Sequence, residues 1–150
     1  MTKLHKLHYE IEIACSPKRV HELMLAKDTY KEWTHVFSPG STYIGNWDEG
    51  SRIIFVSESE NEGMYGSIEK NDPGKYVSIE HLGEWKDGKE VPPSEEFLNW
   101  VGAHENYTFV EKGEGTLLKV DLDSPEDFSG HFDGVWPKAL DKLKEICERS

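Results

Sequence analysis

The sequence predicts an α+β fold in which one curved antiparallel sheet lies against a long C-terminal helix. Three observations predict it. From Phe128 onward the apolar residues fall at Phe128, Phe132, Val135, Trp136, Leu140, Leu143, Ile146 and Cys147, steps of three and four that gather on one face of an α-helix. Almost everything between Thr42 and Leu122 alternates apolar with polar instead, as strands with one buried face do. The strands form a run, segregated from the helices, which is the α+β pattern. A helix with so broad an apolar face needs a sheet to lie on, and any gap between the two is a place for a ligand.

The elements follow in order. Leu7, Tyr9, Ile11 and Ile13 alternate with His8, Glu10 and Glu12, giving a half-buried first strand. Ser16-Pro17 reads as an N-cap followed by proline at the first helical position. Val20, Leu23 and Met24 give that helix its apolar face to about Leu25, and Asp28 is placed to cap a second short helix through Trp33. Ser38-Pro39-Gly40 breaks it. Strands are then predicted at Tyr43-Ile44, from Arg52 to Ser57, from Met64 to Lys70, from Tyr76 to Trp85, from His104 to Glu111 and from Thr116 to Leu122. Glu58 to Gly63 reads as a hairpin loop. Asn71-Asp72-Pro73-Gly74 and Lys112-Gly113-Glu114-Gly115 are turns. Lys86 to Asn99 is the longest irregular segment. Gly134 and Pro137 interrupt the terminal helix, so either a short turn ends near Gly134 and the main helix runs from about Val135 to Arg149, or one helix bends there.

The chain has 150 residues and reads as one domain, 1–150, with neither repeat nor linker. Lys plus Arg number 17 against 29 Asp plus Glu, a formal charge of −12. A surface so acidic repels phosphate backbones and argues against nucleic-acid binding. Neither a signal-peptide core nor a membrane-length apolar run is present, which predicts a cytoplasmic protein with Cys15 and Cys147 as free thiols. Asn106-Tyr107-Thr108 matches a glycosylation sequon, read as coincidental in that compartment.

Familiar catalytic signatures are missing: no nucleophile elbow, phosphate loop, His-Glu-x-x-His or Cys-x-x-Cys. His5 and His8 fall on opposite faces of a strand, and His21, His35, His104 and His131 have no second ligand at useful spacing, so no metal is predicted. Asp121, Asp123, Glu126 and Asp127 lack the spacing of a calcium loop and are expected to cap the terminal helix. No cofactor is predicted.

Two polar residues stand out. His81 shares strand parity with Val77 and Ile79, and Glu105 with Tyr107 and Phe109, so both are expected to face inward, where a polar group needs a partner. They are candidates to anchor a ligand's polar group or to move a proton; structural hydrogen bonding is the plainer role. The aromatics are the other signal, since a mostly apolar cavity with a few polar groups is the usual small-molecule site.

Together these segments resemble a known superfamily. His104-Glu105-Asn106-Tyr107-Thr108-Phe109, Gly115-Thr116-Leu117-Leu118 and the stretch from Phe132 to Glu148 carry the likeness, with support from Ile13 to Val20, Trp33, Phe37 to Ser41, Trp47 to Ser51, and Gly63 to Glu69 ahead of Pro73. The chain is similar to the SRPBCC (START-like) superfamily, in the group related to the C-terminal domain of the heat-shock protein 90 ATPase activator. The resemblance implies the helix-grip fold, with about seven strands wrapped around the C-terminal helix and two short helices after the first strand. It also implies a hydrophobic cavity between sheet and helix, without fixing an activity.

The leading expectation is a protein that binds a hydrophobic or amphipathic small molecule under the terminal helix. Trp33, Phe37, Phe55, Tyr65, Tyr107, Phe132, Trp136 and Leu140 are expected to line the site, with His81 and Glu105 as polar anchors. One alternative is a cyclase or hydrolase using His81 or Glu105 as acid–base groups. Another is a stress-response interaction domain with a chaperone as partner.

Overall fold

The computed structural model describes residues 4–58, 61–125 and 129–149. Phe128, at the head of the apolar stripe, lies outside them, as do Glu126 and Asp127, and Ser59 and Glu60 of the hairpin loop.

The chain opens with strand β1 (Leu4–Ile13) and two short helices, α1 (Pro17–Leu25) and α2 (Lys27–Thr34). The strands β2 (Thr42–Gly45), β3 (Arg52–Val56), β4 (Glu62–Asp72), β5 (Tyr76–Lys86) and β6 (Lys89–Val91) follow. Then come a one-turn helix α3 (Glu95–Leu98), strands β7 (His104–Lys112) and β8 (Gly115–Pro125), and the terminal helix α4 (Ser129–Arg149). All pairings are antiparallel. The sheet runs in the order β1-β8-β7-β5-β4-β3-β2, with β6 pairing β5. This is the α+β helix-grip arrangement that the sequence predicts.

Local chemistry explains most boundaries. Ser16 caps α1 by accepting from the Arg19 amide at 3.3 Å, and Pro17 opens the helix. The α1 carbonyls left open at its C-terminal end find side-chain donors: Trp33 Nε1 donates to Met24 O at 2.9 Å, and the Tyr43 hydroxyl donates to Leu25 O at 2.6 Å. Asp28 is not the cap of α2; Ala26 holds that position, and Asp28 sits in the first turn, where it complements the helix dipole. The segment Lys86 to Asn99, expected to be irregular, contains β6 and α3. Asp87 and Gly88 both adopt positive φ, 55° and 76°, closing the two-residue hairpin β5–β6.

Asp121 and Asp123 do not cap the terminal helix. Both lie on β8, where Asp121 pairs with His8 at 2.6 Å and Asp123 with Lys6 at 2.9 Å. The helix α4 is continuous through Gly134 and Pro137. It is fastened to β1 by the Tyr9 hydroxyl donating to Asp133 at 2.6 Å, and by Lys144 donating to Glu12 O at 2.9 Å. Arg149, at 2.6 Å from Glu32, fastens it to α2.

The core lies between the inner face of the sheet and the helices. Ile13, Ile53, Ile68, Val77, Ile79, Leu118 and Val120 meet Val20, Met24, Leu143 and Ile146 there, all essentially buried. Burying each such side chain stabilises the fold by about 2 kcal/mol. Register shifts in β4–β5, between Tyr65 and Gly66 and between Ile68 and Lys70, bend the sheet. Among the described residues no helix is long and apolar enough to cross a membrane.

Candidate functional site

Toward one end of α4 the sheet and helices part, leaving a cleft of about 360 Å³. Helix α2 supplies Tyr30 and Trp33, and Phe37 follows in the next turn, held by its amide donating to Thr34 O at 2.9 Å. The spacing of three puts Tyr30 and Trp33 on one side of α2. Thr42, Phe55, Met64, His81, Glu105 and Tyr107 come from successive strands, and Phe132 and Trp136 close the cleft from α4. The rings interlock: Phe37 meets Trp136 edge-on at 4.9 Å, Trp33 lies 6.2 Å from Trp136, and Trp100, after α3, meets Phe132 at 5.7 Å.

Of the residues expected to line a site, Trp33, Phe37, Phe55, His81, Glu105, Tyr107, Phe132 and Trp136 border the cleft. Tyr65 and Leu140 do not. The register pairs Phe55 with Met64 and Ile54 with Tyr65, so Met64 shares the inner face with Phe55 and Tyr65 points outward. There its ring covers Gly83, where a Cβ would fall 2.9 Å from ring atoms, and the Arg52 guanidinium stands 5.2 Å from its centroid. Leu140 is 3% exposed and belongs to the packed core, one turn beyond Trp136. Tyr30, Thr42, Met64 and Trp100 were not anticipated in the lining. Tyr30 was within reach of the sequence, three residues before Trp33 on the same helix face.

The polar groups cluster on β5 and β7. The Tyr107 hydroxyl donates to the Glu105 carboxylate, and His81 Nε2 stands 3.5 Å from Glu105 Oε1. The His81 backbone is pinned on both sides: its amide donates to Ala103 O at 2.9 Å and its carbonyl accepts from Gly102 at 2.8 Å. Burial, then the nearby Glu105 charge, pushes the phenols of Tyr30 and Tyr107 well above their ordinary range, so both are fixed as neutral donors. Among the described residues, four buried side-chain polar atoms have no partner, and three of them, Thr42 Oγ1, His81 Nδ1 and Trp136 Nε1, belong to residues of this cleft.

His104, read from the sequence as lacking ligand partners, has them in space. Its Nε2 lies 3.1 Å from Glu69 Oε2, and one donor atom each from Glu69, Glu80 and His104 fall within 4.8 Å of one another. Burial and then the neighbouring Glu69 hold the Glu80 carboxyl above the usual carboxylate range. Cys15 and Cys147 are both free thiols.

Residues 14–148 match the family described as "Activator of Hsp90 ATPase homolog 1-like protein". The chain belongs to this family. The AHSA1-like assignment agrees with the similarity to solved structures. A Mesorhizobium loti protein superposes with a TM-score of 0.73 at 15% identity, covering 97% of this chain and 98% of that one. The Aha1 dimer of Colwellia psychrerythraea gives 0.71 at 22% identity, covering 96% of each chain. CalU16 of Micromonospora echinospora gives 0.67 at 16% identity, covering 96% of this chain and 76% of that one. At these identities the likeness shows the helix-grip fold alone. A search of curated proteins finds no match.

Proposed function

We propose that this AHSA1-like protein binds a hydrophobic or amphipathic small molecule in the cleft bounded by α2, the sheet and α4. The observation that carries this reading is the coincidence of aromatic walls with one polar group in the same cleft. Aromatic and aliphatic side chains give the cleft its apolar bulk, and Glu105, with His81 and Tyr107 beside it, keeps part of its side chain exposed there. A ligand with an apolar body and a polar group buries its surface against these walls and meets that polar group.

The test is uptake of a neutral fluorescent dye, N-phenyl-1-naphthylamine, monitored by its emission and by energy transfer from the cleft tryptophans. Saturable uptake that is lost on narrowing the cleft with Met64→Trp supports the reading. No uptake by the wild-type protein, or undiminished uptake by a folded Met64→Trp variant, overturns it. Thermal melts of both forms verify folding.

The family match supports a second reading, docking to a chaperone through the acidic surface. Salt-sensitive binding to a purified heat-shock protein 90 that survives Met64→Trp supports this reading. Absence of binding at low ionic strength removes it.

A further inference from the structure

The charge of the cleft narrows what it can hold. Among the described residues, its acidic and histidine lining residues are Glu62, His81, His104, Glu105 and Asp123, and no lysine or arginine lines it. Glu62 is exposed, and Asp123 is already compensated by Lys6 at 2.9 Å and by the His104 amide at 2.9 Å. Glu105 differs. Its side chain is 24% exposed, and its neighbours are the Tyr107 hydroxyl and the His81 imidazole, neither of which supplies a fixed positive charge.

Aromatic rings share the cleft with this carboxylate. Tyr107 donates to it, Phe55 lies 6.0 Å from the His81 ring, and Tyr30 stacks on Phe55 at 6.5 Å and 27°. Ring faces carry negative quadrupole charge and attract cations, most of all where water is thin. An anionic head group would meet the Glu105 charge at low effective dielectric with no lysine or arginine of the described lining to offset it. A neutral head group would forgo the attraction.

Resting on the reading that the cleft holds a small molecule, we infer that its preferred occupant is a protonated amine on an apolar body, with the ammonium group beside Glu105 and the body among the α2 and α4 aromatics.

The test is displacement of N-phenyl-1-naphthylamine by octylamine, octanol and octanoate, which share one chain and differ in head charge. Roughly 0.15 M salt, with a Debye length of about 8 Å, screens the acidic surface. Octylamine is expected to displace the dye at about tenfold lower concentration than octanol, with octanoate the weakest. In Glu105→Gln, verified as folded by its melt, the advantage of octylamine over octanol is expected to fall below about threefold. Glu12→Gln, an exposed change away from the cleft, is expected to leave the advantage intact. Octanol or octanoate matching octylamine overturns the inference while leaving the ligand-binding reading standing, and so does an amine preference that persists in Glu105→Gln. Failure of the wild-type protein to take up the dye at all overturns both.

Discussion

His81 on β5 reaches toward Glu105 on β7, with 3.5 Å between Nε2 and Oε1, although the strand register pairs Glu105 with Ile79. The diagonal offset places an imidazole and a carboxylate on the same inner face, and Tyr107 completes the group by donating to Glu105 from two residues along β7. Three polar side chains in an aromatic wall are expensive to bury singly and much less so when they satisfy one another.

Tyr107→Phe tests that mutual support. Tyr107 is 2% exposed, so the change removes a hydrogen bond to a charged group without opening a large cavity. A loss of about 1.5–3 kcal/mol is expected, read as a lower urea midpoint with an unchanged slope. A change within about 0.3 kcal/mol would show that the hydroxyl does not support the carboxylate.

Gly134 sits inside the terminal helix to no packing purpose. A Cβ built there meets nothing within 4 Å, while glycine inside a helix costs about 0.5–1 kcal/mol relative to alanine. Gly134→Ala is therefore expected to stabilise the protein by about that amount, measurable by thermal or urea unfolding.

The two thiols are expected to differ in reactivity. Burial, and then the neighbouring Cys15, pushes the Cys147 thiol up to about 12, whereas Cys15 is only half-buried. Titration of the native protein with a disulfide reagent near neutral pH should modify Cys15 first, and Cys147 should react on unfolding. Equal rates in the folded protein would contradict this.

Acid should loosen the join between α2 and α4. The hydrogen bond from Arg149 at 2.6 Å, helped by Lys142 at 3.6 Å, holds the Glu32 carboxyl below its ordinary value of 4.5. A folded-state value below the unfolded one means that the stabilisation is fully present above pH 4.5 and is lost as pH falls through the lowered value. Wild-type protein and Glu32→Gln should therefore differ in melting temperature near neutral pH and converge in acid. The gap is expected to be small, because the pair is solvent-screened. A gap that widens on acidification would invert the assignment.

The inward placement of His81 and Glu105 was legible because alternation with Val77, Ile79, Tyr107 and Phe109 allows one parity only. Tyr65 was not legible in the same way. Met64 and Tyr65 are adjacent and both large, so alternation alone does not choose between them. The pairing of Phe55 with Met64 does. Leu140 continues the stripe of Trp136, but where along α4 the helix lifts from the sheet is set by the opposing side chains. The cluster of Glu69, Glu80 and His104 draws on three strands and had no signature in local spacing.

Taken alone, the sequence determined what local rules control: the Ser16 cap, the proline-led start of α1, the strand periodicity, the face of α4, and the excess of acidic charge that weighs against polyanions. These depend on neighbours within one or two turns, where sterics and hydrogen bonding are nearly independent of the rest of the chain. Only the tertiary structure decided that α4 runs unbroken through Pro137, that β6 and α3 occupy the segment from Lys86 to Asn99, and that Tyr30, Phe55, His81, Glu105 and Tyr107 converge on one cleft. Those outcomes rest on pairing register and on packing between residues far apart in the chain, whose energies exist only once the sheet has closed over the helix.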